Sequence, residues 1–215
     1  MESRAEKSKR LTSNKTMAKI AIFFSWSFLV VYLVIAIDNY YFRWLNEAAD
    51  TNAYLNAGVL VTVAISLICV LWLIATVVIF IVWFYKAYSN LRKVTDKPKY
   101  APYWAVWSWI IPVVNFYLPF KILKDMQAKA SDLLGVPVIE NTKNRKIINI
   151  LWALYLIAWG LDIVYYIIIY PNSSIIFDVA TFVLLIPSVW LSVKIIYNYS
   201  VLEERLFEKS REIRA

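Results

Sequence analysis

Two sets of polar residues in this 215-residue chain call for a chemical explanation. The first is acidic: Asp38, Asp162 and Asp178 lie inside or at the edges of long apolar runs, and Arg43 is the only cation on the side they would share. Asp162 stands fifteen residues past Ile147, about 22 Å along a helix and two turns short of its far end. An ionisable group at that depth has to face a partner or water inside a bundle, so one reading of Asp162 is a proton or cation path. Asp178 has a plainer role near a helix N-terminus, where its charge meets the helix dipole, and Asp38 marks a membrane end. The second set is basic and amide-bearing. Lys86 and Asn90 are four apart on one helix face, and Asn115, Lys121 and Lys124 follow on the next elements. Together they would suit a lipid phosphate or another small anion. The competing reading lets the lysines snorkel to headgroups and Asn115 cap a helix.

Inventory removes most other chemistry. The chain has no histidine and a single cysteine, Cys69. A disulfide within the chain, His or Cys metal sites, and Ser-His-Asp or Cys-His pairs are all excluded. No metal and no cofactor is expected. An enzyme would have to work with carboxylates, Lys, Tyr or Ser, the carboxylates suggesting acid-base work on a lipid or glycan, and the reading leans away from catalysis. Cys69 reads as a small packing residue, and Thr62, Ser66, Thr76, Ser188 and Ser192 as helix-packing residues with satisfied hydroxyls.

The elements that must carry these residues are membrane helices. The chain is 61% hydrophobic and 17% aromatic with only 18% charged residues, and its apolar runs reach about twenty residues, the length that crosses roughly 30 Å of hydrocarbon. The net charge of +8 comes from cations flanking those runs, which points to topology and anionic headgroups and not to nucleic acid. The expected fold is all-α. A basic tail (1–16) precedes an integral membrane domain (17–198) with four spans at about 17–37, 57–84, 147–170 and 175–197, and a charged tail (199–215) follows. The amphipathic stretch 121–134 is expected to lie on the membrane surface, with "VIENTKNRK" after it as a polar loop. "AYSNL" at 87–91 and "NYSVL" at 198–202 look alike and read as two helix exits.

Between these spans lies "YAPYWAVWSWIIPVVNFYLPF", 100–120. Length alone would let it cross, so charge decides. If the segment 101–120 enters and returns, 22 of the 23 cations lie on one side; if it crosses, the split is 11 to 12. The positive-inside bias favours the re-entrant form. Pro112 and Pro119 break the helix, and Asn115 between them is placed to cap a new start. Non-helical backbone at membrane depth persists only where protein or a water-filled cavity shields it, which makes this turn a candidate site.

Two stretches resemble a family known as the domain of unknown function number forty-three twenty-eight. Trp83-Phe84-Tyr85-Lys86-Ala87-Tyr88-Ser89-Asn90-Leu91 is similar to its aromatic-Arg-Ala-Tyr-x-Asn-Leu helix end. Pro102-x-Trp104-Ala105-Val106, then Trp109, Ile111-Pro112, Asn115 and Pro119, is similar to its Pro-x-Trp-Ala-Val and Ile-Pro-x-x-Asn block. Lys86 stands where that family usually has Arg, which weakens bidentate anion recognition there. The resemblance implies a polytopic protein of a bacterial inner membrane and supplies no reaction; the charge count puts both termini on the cytoplasmic side. The expected role is a non-enzymatic accessory or sensory subunit that binds anionic lipid headgroups or a membrane-protein partner, including a second copy of itself. A small cation or proton transporter or channel using Asp162 is the alternative, and a lipid-modifying enzyme the second.

Overall fold

A computed structural model describes residues 12–48, 57–95, 99–164 and 175–212; the side chains at 43–48, 57, 162, 164, 175–178, 211 and 212 are not described. Among the described residues seven helices follow in order: α1 Lys15–Ala48, α2 Ala57–Val94, α3 Trp104–Ile110, α4 Pro112–Asn115, α5 Leu118–Leu134, α6 Val138–Val164 and α7 Ile175–Glu212. No strand occurs among the described residues. α1 packs along α2 and α7, α6 lies on α7 and α5, and the short α3 and α4 close one end against α2 and α5.

Three segments among the described residues are long and apolar enough to cross a membrane: Lys15–Phe42, Gly58–Val94 and Val179–Ser210. Their outward faces carry Val30, Ile37, Leu67, Ile68 and Leu71, each at least 60% exposed. Leaving such a side chain in water forgoes about 1.5–3 kcal/mol, and dozens are exposed along the helices. Lipid is the solvent that removes this penalty. The expected fourth span, 147–170, begins within α6 and runs on past Val164, outside the described residues.

The protein core lies toward one end of the bundle, where α1 begins, α2 ends and α7 continues past its apolar run. Trp83, Phe84, Ala87, Tyr88 and Leu91 of α2 meet Ile122, Met126 and Ala130 of α5 and Ile196, Tyr199, Leu202 and Leu206 of α7, all at most 6% exposed. This end, called the basic end below, also carries Lys86, Lys121, Lys124 and Arg145.

The structure departs from several expectations. The apolar stripe of α5 is buried against α2, α6 and α7, where a membrane-surface helix was expected. Periodicity shows that a stripe needs a cover and does not say whether protein or lipid supplies it. The stretch "VIENTKNRK" is helical, forming the first turns of α6, because Pro137 sets its entry and its carbonyl accepts the N–H groups of Glu140 and Asn141. The loop after the first span is likewise helical as far as Ala48. Pro187, inside α7, breaks nothing: the helix runs through it, and Ser188 Oγ and Ser192 Oγ donate to the carbonyls one turn back, as tolerated in membrane helices. Between α5 and α6, Gly135 takes the left-handed conformation (φ 66°) while Val136 N–H bonds back to Ser131, a helix stop that suits glycine.

Candidate lipid site and buried polar knot

The tryptophan-rich stretch is broken twice. α3 stops at Ile110, Ile111 is extended before Pro112, α4 lasts four residues, and Tyr117 breaks the chain again before α5. At about 1.5 Å per residue, the seven residues of α3 and the four of α4 rise only about 10 and 6 Å, far short of a bilayer. Asn115 ends α4 and caps nothing; the residue preceding α5 is Tyr117, and Pro119 occupies the first turn of α5 where its missing N–H costs little. Aromatic contacts hold the segment in place. Trp109 meets Phe80 and Phe84 of α2 edge-on at 5.1 and 6.0 Å. Phe116 meets Trp159 of α6 at 4.5 Å. Trp152 Nε1 donates to the carbonyl of Phe116 at 2.6 Å, which satisfies the backbone at the break. Tyr88 braces the entry, its hydroxyl donating to the Tyr100 carbonyl and accepting from the Tyr100 N–H.

Beside this segment lies a cavity of ≈ 310 Å³ whose walls include Phe28, Ile81, Trp109, Leu151, Tyr155 and Val189. Four serine and threonine residues also line it, Ser25, Thr76, Ser188 and Ser192, but each donates its proton to a carbonyl of its own helix. These four hydroxyls therefore offer no free donor to the cavity. Trp109 Nε1 is buried there with no hydrogen-bond partner in the protein. Phe120 and Leu123 of α5 and Leu151 of α6 line this cavity, and the same two helices carry Lys121, Lys124 and Arg145 nearby. Burial first, then the charges of Arg145 and Lys121, lower the Lys124 ammonium from its ordinary value. Lys121, Lys124 and Arg145 are thus near enough to repel one another, on two helices that also line the apolar cavity. Lys121 also lies over the Tyr117 ring at 4.9 Å.

A second cluster is buried at the basic end. Glu203 of α7, 7% exposed, accepts from Asn90 Nδ2 at 2.6 Å and from Asn14 Nδ2 at 3.3 Å. Asn90 also donates to the Thr12 carbonyl and accepts from the Thr12 N–H and hydroxyl, and Asn14 donates to the Trp83 carbonyl. One carboxylate and two amides thus tie the start of α1 to the end of α2 and the extension of α7. Tyr199 adds a weak 3.5 Å bond to the Ala87 carbonyl. The similar stretches at 87–91 and 198–202, expected as helix exits, lie inside α2 and α7, which run on to Val94 and Glu212, and Tyr199 of one bonds Ala87 of the other.

The candidate residues separate accordingly. Lys121 and Lys124 come together, joined by Arg145, which the sequence reading left in a loop. Lys86 is exposed whereas Asn90 turns into the bundle and spends its donors on Glu203 and Thr12. Asn115 Oδ1 is buried without a partner. Asp38 is 7% exposed and accepts from Ser66 Oγ at 2.7 Å, which ties α1 to α2. The side chains of Asp162, Asp178 and Arg43 lie outside the described residues. Cys69 is buried, as expected of a packing residue. Glu203 and Asn14 were not singled out from sequence, although Tyr199, Leu202 and Leu206 at helical spacing place Glu203 on the buried face of α7.

An all-helical chain with three apolar helices long enough to span and a large lipid-compatible exterior is a helical membrane protein. A family model, "Domain of unknown function (DUF4328)", matches residues 46–185, well over half of the chain, so the protein belongs to that family. No curated protein and no solved structure matches. The aromatic segment, Lys121, Lys124, Arg145 and Asn90 fall inside the matched residues, while Asn14 and Glu203 fall outside them.

Proposed function

We propose that the protein is a non-enzymatic phospholipid-binding subunit of a bacterial cytoplasmic membrane. In this reading it has four spans, the segment 101–120 enters and returns from the cytoplasmic side, and both termini are cytoplasmic. What supports the reading is the apolar cavity lined in part by α5 and α6, together with three mutually repelling cations, Lys121, Lys124 and Arg145, on those same two helices. An acyl chain fills the cavity, and the phosphate rests on the three cations. One further fact agrees: the hydroxyls of Ser25, Thr76, Ser188 and Ser192 are spent on backbone carbonyls, so a polar solute finds no free donor among those four. A cation cluster of this kind is unfavourable without an anion and favourable with one.

The test is lipid retention. Purified protein analysed by native mass spectrometry is expected to carry phospholipid. Lys121→Ala/Lys124→Ala, and separately Leu151→Trp, which fills the cavity, should each lower retention at least about fivefold, equivalent to about 1 kcal/mol, with helix content unchanged. Retention equal to wild type in both variants would refute the reading.

A second prediction concerns pH. Because the Lys124 ammonium titrates below its ordinary value, a larger fraction is neutral at any given pH. Its acylation by an amine reagent should therefore begin at lower pH than that of the side chain of free lysine. Vesicles rich in phosphatidylglycerol supply the counter-charge, so they should shift the Lys124 profile upward and slow its labelling. Peptide mapping after pulse acylation reads both effects.

A further inference from the structure

We infer that the cavity beside Glu203 is a binding site for a small organic cation, a primary ammonium on a short aliphatic stem. This cavity, ≈ 210 Å³, is lined by residues from the start of α1, the end of α2 and the extension of α7. It is distinct in position and charge from the apolar cavity proposed to take lipid. Among its lining residues are three carboxylates, Glu203, Glu204 and Glu208, and a single cation, Lys15. Lys15 is already committed to Glu204 at 2.6 Å. Among the described residues, acidic side chains thus outnumber basic ones around this cavity, in a chain of net charge +8.

Two buried groups are suited to receive a cation. Glu203 is held only by neutral amides, and among the described residues it makes no ion pair. Asn14 is 3% exposed and lines the same cavity. Its Nδ2 is engaged by the Trp83 carbonyl and by Glu203, which leaves Oδ1 as an acceptor with no partner. A buried carboxylate and an orphaned amide oxygen on one wall are what an ammonium with three donors requires. Removing a carboxylate from water without a counter-charge is costly, and a bound cation offsets that cost.

The other walls decide what kind of cation. Leu91, Leu206, Phe207 and the ring of Tyr199 also line the cavity. These suit a short aliphatic stem and a cation against an aromatic face, whereas Mg²⁺ or Ca²⁺ demands a shell of oxygens. Among the described residues no group of three acidic side chains is arranged to hold a metal ion. The shared chemistry, a primary ammonium, can come from a free diamine or from the headgroup of phosphatidylethanolamine.

Isothermal titration of the full-length protein in phosphatidylglycerol nanodiscs with 1,4-diaminobutane tests the free-amine source. The same protein in nanodiscs containing phosphatidylethanolamine tests the lipid source, which would appear as loss of the diamine isotherm by competition. Saturable diamine binding is expected, weakened at least about tenfold by Glu203→Gln and about threefold by Glu208→Gln; the latter residue is exposed and outside the hydrogen-bonded knot, so its variant folds whatever the former does. Lys15→Ala, which removes the competing cation, should strengthen binding. No saturable binding in phosphatidylglycerol together with no change in thermal stability on adding phosphatidylethanolamine would overturn the inference, as would binding indifferent to both glutamate variants. Stabilisation by Na⁺ or Mg²⁺ with the same variant dependence, and none by the diamine, would overturn it in favour of an inorganic ion.

Discussion

Replacing Asn90 with Leu is expected to destabilise the protein by about 3 kcal/mol. A hydrogen bond to a charged group is worth about 1.5–3 kcal/mol and one between neutral groups about 1 kcal/mol. Asn90 supplies one of the first kind, to Glu203 at 2.6 Å, and engages Thr12 through both ends of its amide. Leucine matches the volume and removes all of them. Glu203 would then be left with the longer 3.3 Å bond from Asn14 as its amide contact, still 93% removed from solvent by the 7% exposure of the native residue. The cost is paired. Asn90→Leu combined with Glu203→Met removes both the donor and the buried charge, and the double variant should recover about 2 kcal/mol relative to the sum of the singles, because an apolar replacement of a buried polar pair is frequently near neutral. Denaturant unfolding in detergent, followed by tryptophan fluorescence, provides the cycle. Single and double variants that add within about 0.5 kcal/mol would show that Asn90 and Glu203 are not coupled.

That knot also shows where sequence reading reaches its limit. Apolar runs, proline positions and the stripe in α5 are local signals, so the helical class, the breaks around Pro112 and the amphipathic character of 121–134 are legible in the order of residues. Glu203 is not legible in the same way. It stands in "EERLFEKSRE", where a charged run normally marks a solvated face, and only the burial of Tyr199, Leu202 and Leu206 around it shows that this helix extension packs onto α2. Asn90 suffers the converse error. Four residues from Lys86, it reads as half of an anion site; in the structure its partner is a carboxylate 113 residues away in the chain. Long-range partners of this kind depend on which helix faces meet, and a single sequence does not encode that in its periodicity. Arg145 is a milder case: once α6 is seen to begin at Val138, its position beside Lys121 and Lys124 follows from helix against helix. The lysines were legible as a group because cations near apolar helix ends are few and their interfacial placement is expected.

A cysteine at position 143 should be shielded from an impermeant thiol reagent applied outside intact cells and fully reactive once the membrane is opened. The variant is Lys143→Cys in a Cys69→Ala background, which removes the chain's one native thiol. Lys143 is exposed, on the first turns of α6, so reactivity reports its side of the membrane and not burial. The expectation follows from the proposed entry and return of 101–120. α3 and α4 together rise about 16 Å at 1.5 Å per residue, against roughly 30 Å of hydrocarbon. Their break is braced from the same bundle by Trp152 on the Phe116 carbonyl and by Trp109 against Phe80 and Phe84. A crossing would instead have to carry Lys121, Lys124 and Lys129 to the far side with Lys143, Arg145 and Lys146, abandoning the one-sided placement of 22 cations. Labelling from outside would place Lys121, Lys124 and Arg145 in the outer leaflet and overturn both the four-span topology and the cytoplasmic lipid site. Shielding of position 143, with Tyr41→Cys near the other end of α1 labelled under the same conditions, would fix those three cations at the inner leaflet, where anionic headgroups attract basic clusters by about 1 kcal/mol per cation.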